Sequence, residues 1–223
     1  MTTSLIDRLI ASCPAEWEAY TQHAFLRQLA AGTLPLASFQ HYLRQDYVFL
    51  IHFARCYALA AYKGDDLEDM RAAAASMHGI LNTEMKLHIG FCAGWGVSEA
   101  EMAAEPEARA CMAYTRFVLE RGMAGDILDL HVALAPCIIG YGVIGKRLAT
   151  DPQTRRAGNP YEAWIAQYAG EEYQHVAATA AARLDRLAER RLTGARWPQV
   201  VQTFAQACRL EADFWQMGLE CSR

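Results

Sequence analysis

Apolar residues recur at spacings of three and four along almost the whole chain, and no convincing alternation of apolar and polar positions appears. A period near 3.6 buries one stripe of a helix, whereas a half-buried strand needs a period of two, so the pattern predicts helices throughout. Helix-ending residues punctuate it: Gly32, Gly64, Gly94 with Gly96, Gly122 with Gly125, Asp151-Pro152, Gly158-Asn159-Pro160 and Gly194. Glycine accepts the left-handed turn that closes a helix, and proline cannot continue one. The predicted helices cover roughly 3–12, 14–31, 36–62, 66–93, 98–122, 126–150, 160–191 and 198–220. No repeat, low-complexity run or long linker divides them, which predicts one all-α domain over 1–223, built as a multi-helix bundle.

Three reactive groups fall on the apolar stripes. The stripe of 36–62 passes through Phe39, Tyr42, Leu43, Leu50, Phe53 and Tyr57, and Asp46 lies on it with Phe49 three residues on. The C-terminal stripe through Val200, Val201, Phe204, Ala207, Cys208, Phe214 and Trp215 is interrupted by Glu211. Within 126–150, Cys137 and Tyr141 are four apart and share a face with Leu130, Leu134, Ile144 and Leu148. Pro136 lacks an N–H and crowds the preceding turn, so it bends the helix just before the thiol. Each group alone has a plain structural explanation. Asp46 can pair with a buried Arg or cap a helix, Glu211 can bond a tyrosine, and a buried Cys behaves as a small hydrophobe. Three such groups on three helices could also converge in a bundle interior, where such folds place their sites, an alternative that periodicity alone leaves open beside the structural ones.

Composition narrows the setting. Hydrophobic residues make up 53% and charged residues 21%, values of an ordinary globular protein. No run of about 18 uncharged apolar residues occurs, which predicts no membrane span. The opening Met1-Thr-Thr-Ser-Leu-Ile-Asp-Arg8 lacks the basic start and apolar core of a secretory signal. A net charge of −4 with scattered basic residues leaves no electrostatic footprint for nucleic acid. Seven cysteines, odd in number and widely spaced without a Cys-x-x-Cys, argue against a disulfide framework or a zinc ribbon and for reduced thiols in the cytoplasm.

A rival constellation exists. Glu84 and His88 are four apart on a stripe through Met77, Ile80, Leu81 and Phe91, and Glu172 with His175 forms a Glu-x-x-His beside Glu171. Di-iron carboxylate bundles hold metal with two Glu-x-x-His motifs and two further carboxylates. One motif is present in this chain and the other pair has the wrong spacing. Ordinary hydrogen-bonded Glu–His pairs therefore rank above metal ligands, and a metal-dependent oxidase is the alternative reading. Tyr114, Tyr141, Tyr168 and Phe49 lie on four separate helices. They are core by default, and a cage for a flat ring if they meet around Cys137.

The ordered motifs are more specific. Gly32-Thr-Leu-Pro35, Phe39-x-x-Tyr42-Leu-x-Gln45-Asp46 and Phe53-Ala-Arg55 come first. Glu84-Met-x-Leu-His88, Ala113-Tyr114-Thr-Arg-Phe117, Ala135-Pro136-Cys137 with Tyr141, and Ile144-Gly145 follow. Tyr161-x-x-Trp164-Ile165-x-x-Tyr168 and Leu210-Glu211-x-x-Phe214-Trp215-x-Met217 complete the series. In this order and over nearly the whole chain, they resemble the TenA-like thiaminase II family. The resemblance implies an all-α, haem-oxygenase-like bundle that hydrolyses thiamine-related aminopyrimidines for salvage and in many members cleaves thiamine, without cofactor or metal. It implies that Cys137 is the nucleophile, Glu211 the acid/base on the ring nitrogen and exocyclic amine, and Asp46 a pyrimidine-binding carboxylate. Tyr114, Tyr141 and Tyr168 match pocket tyrosines. Phe49 stands where many members have Tyr, which keeps ring stacking and loses a hydroxyl contact. Val143 replaces a Glu found two residues after the tyrosine matching Tyr141. Members are usually homotetramers, with a small pyrimidine as partner and neither nucleic acid nor membrane.

The implied chemistry is reasonable. An aminopyrimidine resists water because attack breaks aromaticity and the amine leaves poorly. A thiolate adding to the ring carbon that bears the amine divides the substitution into two lower barriers. A carboxylic acid that protonates the ring nitrogen makes that carbon electrophilic and then passes a proton to the departing amine, help worth roughly 10²–10⁴-fold.

Overall fold

The computed structural model describes residues 3–223. Met1 and Thr2, where the reading of the N-terminal start begins, lie outside the described residues. In chain order the helices are α1 (Leu5–Ser12), α2 (Pro14–Thr21), α3 (Ala24–Ala31), α4 (Leu36–Lys63) and α5 (Leu67–Gly79). One π-helical turn (Ile80–Glu84) leads into α6 (Met85–Ala93), followed by α7 (Glu99–Ala103), α8 (Arg109–Ala124) and α9 (Ile127–Ala135). A second π-turn (Pro136–Gly140) leads into α10 (Tyr141–Thr150), then come α11 (Glu162–Ala169), α12 (Glu171–Arg191) and α13 (Trp197–Glu220). No strand occurs among the described residues, as the periodicity predicts.

Three predicted helices are each broken in two, for local reasons. The stretch 14–31 parts at Gln22-His23, where the His23 ring accepts the Phe25 N–H and caps a new helix, α3. The stretch 98–122 parts around Pro106, which can neither donate to a helix nor leave its predecessor helical. The stretch 160–191 parts at Gly170, whose extended backbone (ψ 150°) turns α11 into α12. Gly32 ends α3 at φ +68°, the left-handed cap for which glycine has no Cβ penalty.

The chain forms two compact units, Pro35–Leu130 with Met217–Arg223, and Met1–Leu34 with His131–Gln216. In the first, α4 is the central element and packs against α5, α6, α7 and α8. Its buried face carries Phe39, Tyr42, Leu43, Leu50, Phe53 and Tyr57, the stripe expected from sequence. Gln45 locks the start of α8: its amide donates to the Pro106 carbonyl (2.9 Å) and its carbonyl accepts the Ala108 N–H (2.9 Å). In the second unit α10 packs on α11 and α12, and α1 on α12, around Leu9, Leu26, Leu29, Ile144, Leu148, Trp164 and Phe204. Gln174 ties three of these helices by donating to the carbonyls of Gly142 (2.9 Å) and Tyr168 (2.8 Å).

The stretch Ile127–Thr150 is long and apolar enough to cross a membrane by length and mean hydropathy (1.9). Asp129 lies within it, and 89% of its most apolar window is buried in the protein, as in a core helix.

Candidate active site

The seven residues singled out in the sequence fall into two sets, one in each unit. Asp46, Phe49 and Tyr114 belong to the unit built on α4. Cys137, Tyr141, Tyr168 and Glu211 belong to the other.

Asp46 is buried in mid α4, as its stripe position predicts, and the structure supplies the partner that a buried carboxylate requires. That partner is neither an Arg nor a helix cap. Asp46 Oδ2 lies 2.6 Å from Nε2 of His88 and accepts the Tyr42 hydroxyl at 3.3 Å. On its other side, Nδ1 of His88 is 2.9 Å from the Glu84 carbonyl oxygen. Burial pulls the His88 imidazole toward its neutral form. The hydrogen bond and charge of Asp46, aided by Glu84, outweigh that and hold its pKa above the usual 6.5. A neighbouring thiol, Cys111, is pushed far above the ordinary range by burial first and then by the charges of Glu107 and Asp46. One turn beyond Asp46, the Phe49 ring lies 5.1 Å from that of Tyr114 and 5.4 Å from that of Phe53.

The thiol set is built on the second π-turn. Pro136 cannot donate to the helical ladder, and the chain absorbs this by widening into the turn Pro136–Gly140, in place of the simple kink expected from sequence. Cys137 sits inside it, half-buried rather than sealed in the core. Side chains occupy the carbonyls that the turn loosens. Tyr20 donates to Pro136 O (3.1 Å), and Tyr173 donates to the carbonyls of Cys137 (3.4 Å) and Ile138 (3.3 Å). Gly140 is required because a Cβ there would lie 2.5 Å from the Tyr20 ring.

Around this turn the aromatic residues form one cluster. The Tyr141 ring is 5.0 Å from Tyr168 and 5.3 Å from Trp215, and Trp164 is 4.6 Å from Tyr168. Glu211 is buried on α13, one turn before Trp215. Cys137 lies one turn before Tyr141. Thiol and carboxyl therefore each sit one turn from a member of the touching Tyr141–Trp215 pair. Val143 is exposed and stands apart from this buried cluster.

The metal alternative fares poorly. Glu172 and His175 are exposed on the first turns of α12, both ring nitrogens of His88 face hydrogen-bond acceptors, and no group of three potential ligands occurs among the described residues. Helical spacing pairs His88 with Glu84, whose carbonyl it contacts, and gives no sign of its second partner, Asp46. The readable signal for Asp46 was a second buried ionisable residue of opposite charge on another apolar stripe. Tyr20 and Tyr173 carried no sequence signal beyond being aromatic.

The profile of the TENA/THI-4/PQQC family matches residues 11–221. An aminopyrimidine aminohydrolase of Halalkalibacterium halodurans is 35% identical over 203 residues, which cover 91% of this chain and 89% of that protein. A crystal structure described as a TenA family transcription regulator, from Silicibacter sp. TM1040, is 46% identical with a TM-score of 0.90 and 96% coverage of each chain. A Shewanella denitrificans domain of unknown function, described as having a heme oxygenase-like fold, superposes with a TM-score of 0.72 over 98% of this chain and 94% of its own. At 14% identity that last likeness concerns the fold alone, which is all-α and haem-oxygenase-like.

Proposed function

Since the chain belongs to the TENA/THI-4/PQQC family, we propose that it is a metal-independent hydrolase of thiamine-related aminopyrimidines, with Cys137 as nucleophile and Glu211 as acid/base. The observation that carries the reading is the placement of a half-buried thiol on a π-turn and a buried carboxyl on α13, each one turn from the Tyr141–Trp215 contact. π-turns widen a helix and re-aim a side chain, and they recur where a side chain has a task.

For an aminomethyl-aminopyrimidine the leaving amine sits one carbon off the ring. Addition at an amine-bearing ring carbon, as expected from sequence, cannot release this amine; the thiolate instead adds to the ring carbon beside the one bearing the arm, while Glu211 protonates the ring nitrogen. The electrons gained by the ring expel ammonia from the methylene as the amine takes up a proton. Water adds to the exposed methylene carbon and loses its proton. Return of the ring-nitrogen proton to Glu211 and departure of the thiolate restore aromaticity and leave a hydroxymethylpyrimidine and one ammonia. In this reading Asp46 binds the substrate's exocyclic amine, and Phe49, Tyr114, Tyr141 and Tyr168 stack on or border the flat ring. Thiamine cleavage uses the same groups, with thiazole as leaving group.

A reducing, cytoplasmic setting fits the absence of any disulfide among the seven cysteines. A homo-oligomer, tetrameric by family resemblance, is supported by the exposed apolar side chains of Tyr62, Leu67, Met70 and Met123. Light scattering that gives the mass of one chain ends that part. The regulator description belongs to the Silicibacter protein; the net charge of −4 on this chain offers nucleic acid no electrostatic attraction. Ammonia release from an aminomethyl-aminopyrimidine tests the hydrolase reading. Cys137→Ala abolishes it in a protein that melts near the wild-type temperature, and undiminished turnover by that variant removes the thiol from the mechanism.

A further inference from the structure

The proposed chemistry uses Asp46 and leaves His88 without a task, although His88 is among the most deeply buried ionisable residues of its unit. We propose that His88 is a positioning residue for this reaction: as an imidazolium fixed between the Glu84 carbonyl and Asp46 Oδ2, it holds Asp46 as an oriented anion whose Oδ1 receives the exocyclic amine of the aminopyrimidine. The proposal rests on the aminopyrimidine reading and adds to it a residue which that reading does not need.

Hydrogen-bond accounting carries the argument. A carbonyl oxygen only accepts, so the Glu84 contact at 2.9 Å requires a proton on Nδ1. At 2.6 Å from Oδ2, a bare Nε2 lone pair would face a carboxylate lone pair, so a proton also lies in that bond. In water a carboxylic acid is the stronger acid of the two by more than two pKa units, and the hydrogen bond and charge of Asp46 hold the His88 pKa up, so the proton stays on the ring. The pair is therefore imidazolium and carboxylate, a charge-assisted bond without net charge. Both ring nitrogens are anchored, one to backbone and one to the carboxylate, so the ring cannot turn without losing a bond.

Local structure supports a positioned ring. The π-turn Ile80–Glu84 ends one turn before His88, and both this turn and α6 pack against α4. The extra residue rotates the face that α6 presents to α4 and brings an imidazole, rather than an aliphatic side chain, against Asp46. Oδ2 is then occupied twice, while Oδ1 accepts no hydrogen bond among the described residues. A carboxylate oxygen with capacity left, on a residue that is itself buried, suits an N–H donor, which the amine of an aminopyrimidine supplies.

The charged groups facing His88 are Asp46 from α4 and Glu84 from the turn before it. Tyr42 on α4 and Cys111 on α8 face Asp46. Because the folded pKa of His88 lies above 6.5, the oriented pair is complete below that value and is lost as pH rises through the folded pKa. Substrate affinity then weakens on the alkaline side.

The test compares wild type, His88→Leu and His88→Gln by ammonia release from an aminomethyl-aminopyrimidine between about pH 6 and 9. His88→Leu removes both donors and raises KM by about 10–100-fold, the worth of one hydrogen bond to a charged group, with a much smaller change in kcat. His88→Gln keeps an uncharged donor for Oδ2, recovers most of the affinity and loses the alkaline rise in KM. In parallel, nitrogen NMR of histidine-labelled wild type shows His88 protonated on both nitrogens at neutral pH, the signal being assigned by its absence from His88→Gln. A wild-type KM and pH profile in a folded His88→Leu overturns the proposal, as does an alkaline rise that survives in His88→Gln, or a singly protonated ring by NMR. If His88→Leu does not fold, His88→Gln and the NMR signal decide. Ammonia release that survives Cys137→Ala sinks the nucleophile assignment without touching His88. A wild type that releases none sinks the hydrolase reading and, with it, the positioning role of His88.

Discussion

Glu211 and Asp46 are both carboxyls buried on apolar stripes, and the proposed reaction gives them different duties. Asp46 has the His88 imidazole and a tyrosine hydroxyl on one oxygen. Glu211 lies on the stripe of Phe204, Ala207, Cys208 and Phe214, and its charge is among the causes, after burial, that raise the Cys208 thiol. Glu211→Gln keeps the volume and hydrogen-bonding capacity but cannot exchange a proton. It lowers kcat for ammonia release by about 10²–10⁴-fold while KM changes little. A kcat within a factor of two or so of wild type would return Glu211 to a purely structural role. The positions of these residues were legible from period alone, because a charge on an apolar stripe stands out. Their partners were not, because helical spacing says which face a residue occupies and nothing about which other helix that face meets.

At the scale of elements, the existence and type of the helices followed from pattern, while their interruptions came from single residues. His23 as a capping acceptor, Pro106 and Gly170 each break a stretch whose apolar period continues across the break. Period averages over a dozen residues and is blind to one that changes direction. The π-turns were hidden for a related reason: one extra residue per turn shifts the stripe without ending it, and Pro136 announced a bend but not its form. Close approach between elements is likewise invisible in sequence, and Gly145 shows what depends on it. A Cβ at Gly145 would lie 2.5 Å from the Tyr168 carbonyl carbon on α11, a backbone atom that cannot swing aside. Gly145→Ala therefore forces α10 and α11 apart, at about 1–3 kcal/mol of stability. The midpoint of urea unfolding falls accordingly, and KM for the aminopyrimidine rises because Tyr168 moves with its helix. A variant with an unchanged midpoint would show that the two helices yield at no cost, and the tight α10–α11 packing would lose its significance.

For the molecule as a whole, the seven thiols provide a reactivity map that separates the accessible ones from those sealed in the core. Five are buried: Cys13, Cys56, Cys92, Cys111 and Cys208. Burial foremost raises Cys13 and Cys92 to about 11 and Cys56 to about 12, and it lifts Cys111 and Cys208 beyond the ordinary thiol range. Only the thiolate is a nucleophile, so these five are doubly protected, by lack of access and by lack of charge. Cys137 is partly exposed and Cys221 is exposed. Iodoacetamide applied to the native protein at mildly alkaline pH therefore modifies Cys137 and Cys221 first, as peptide mass spectrometry would show, and the other five react only after unfolding. Loss of ammonia release tracks the modification of Cys137, and an aminopyrimidine in excess slows that modification while leaving Cys221 unaffected. Activity that instead follows Cys221, or survives full alkylation of Cys137, would mean that the half-open thiol on the π-turn is exposed for some reason other than attack on a ring.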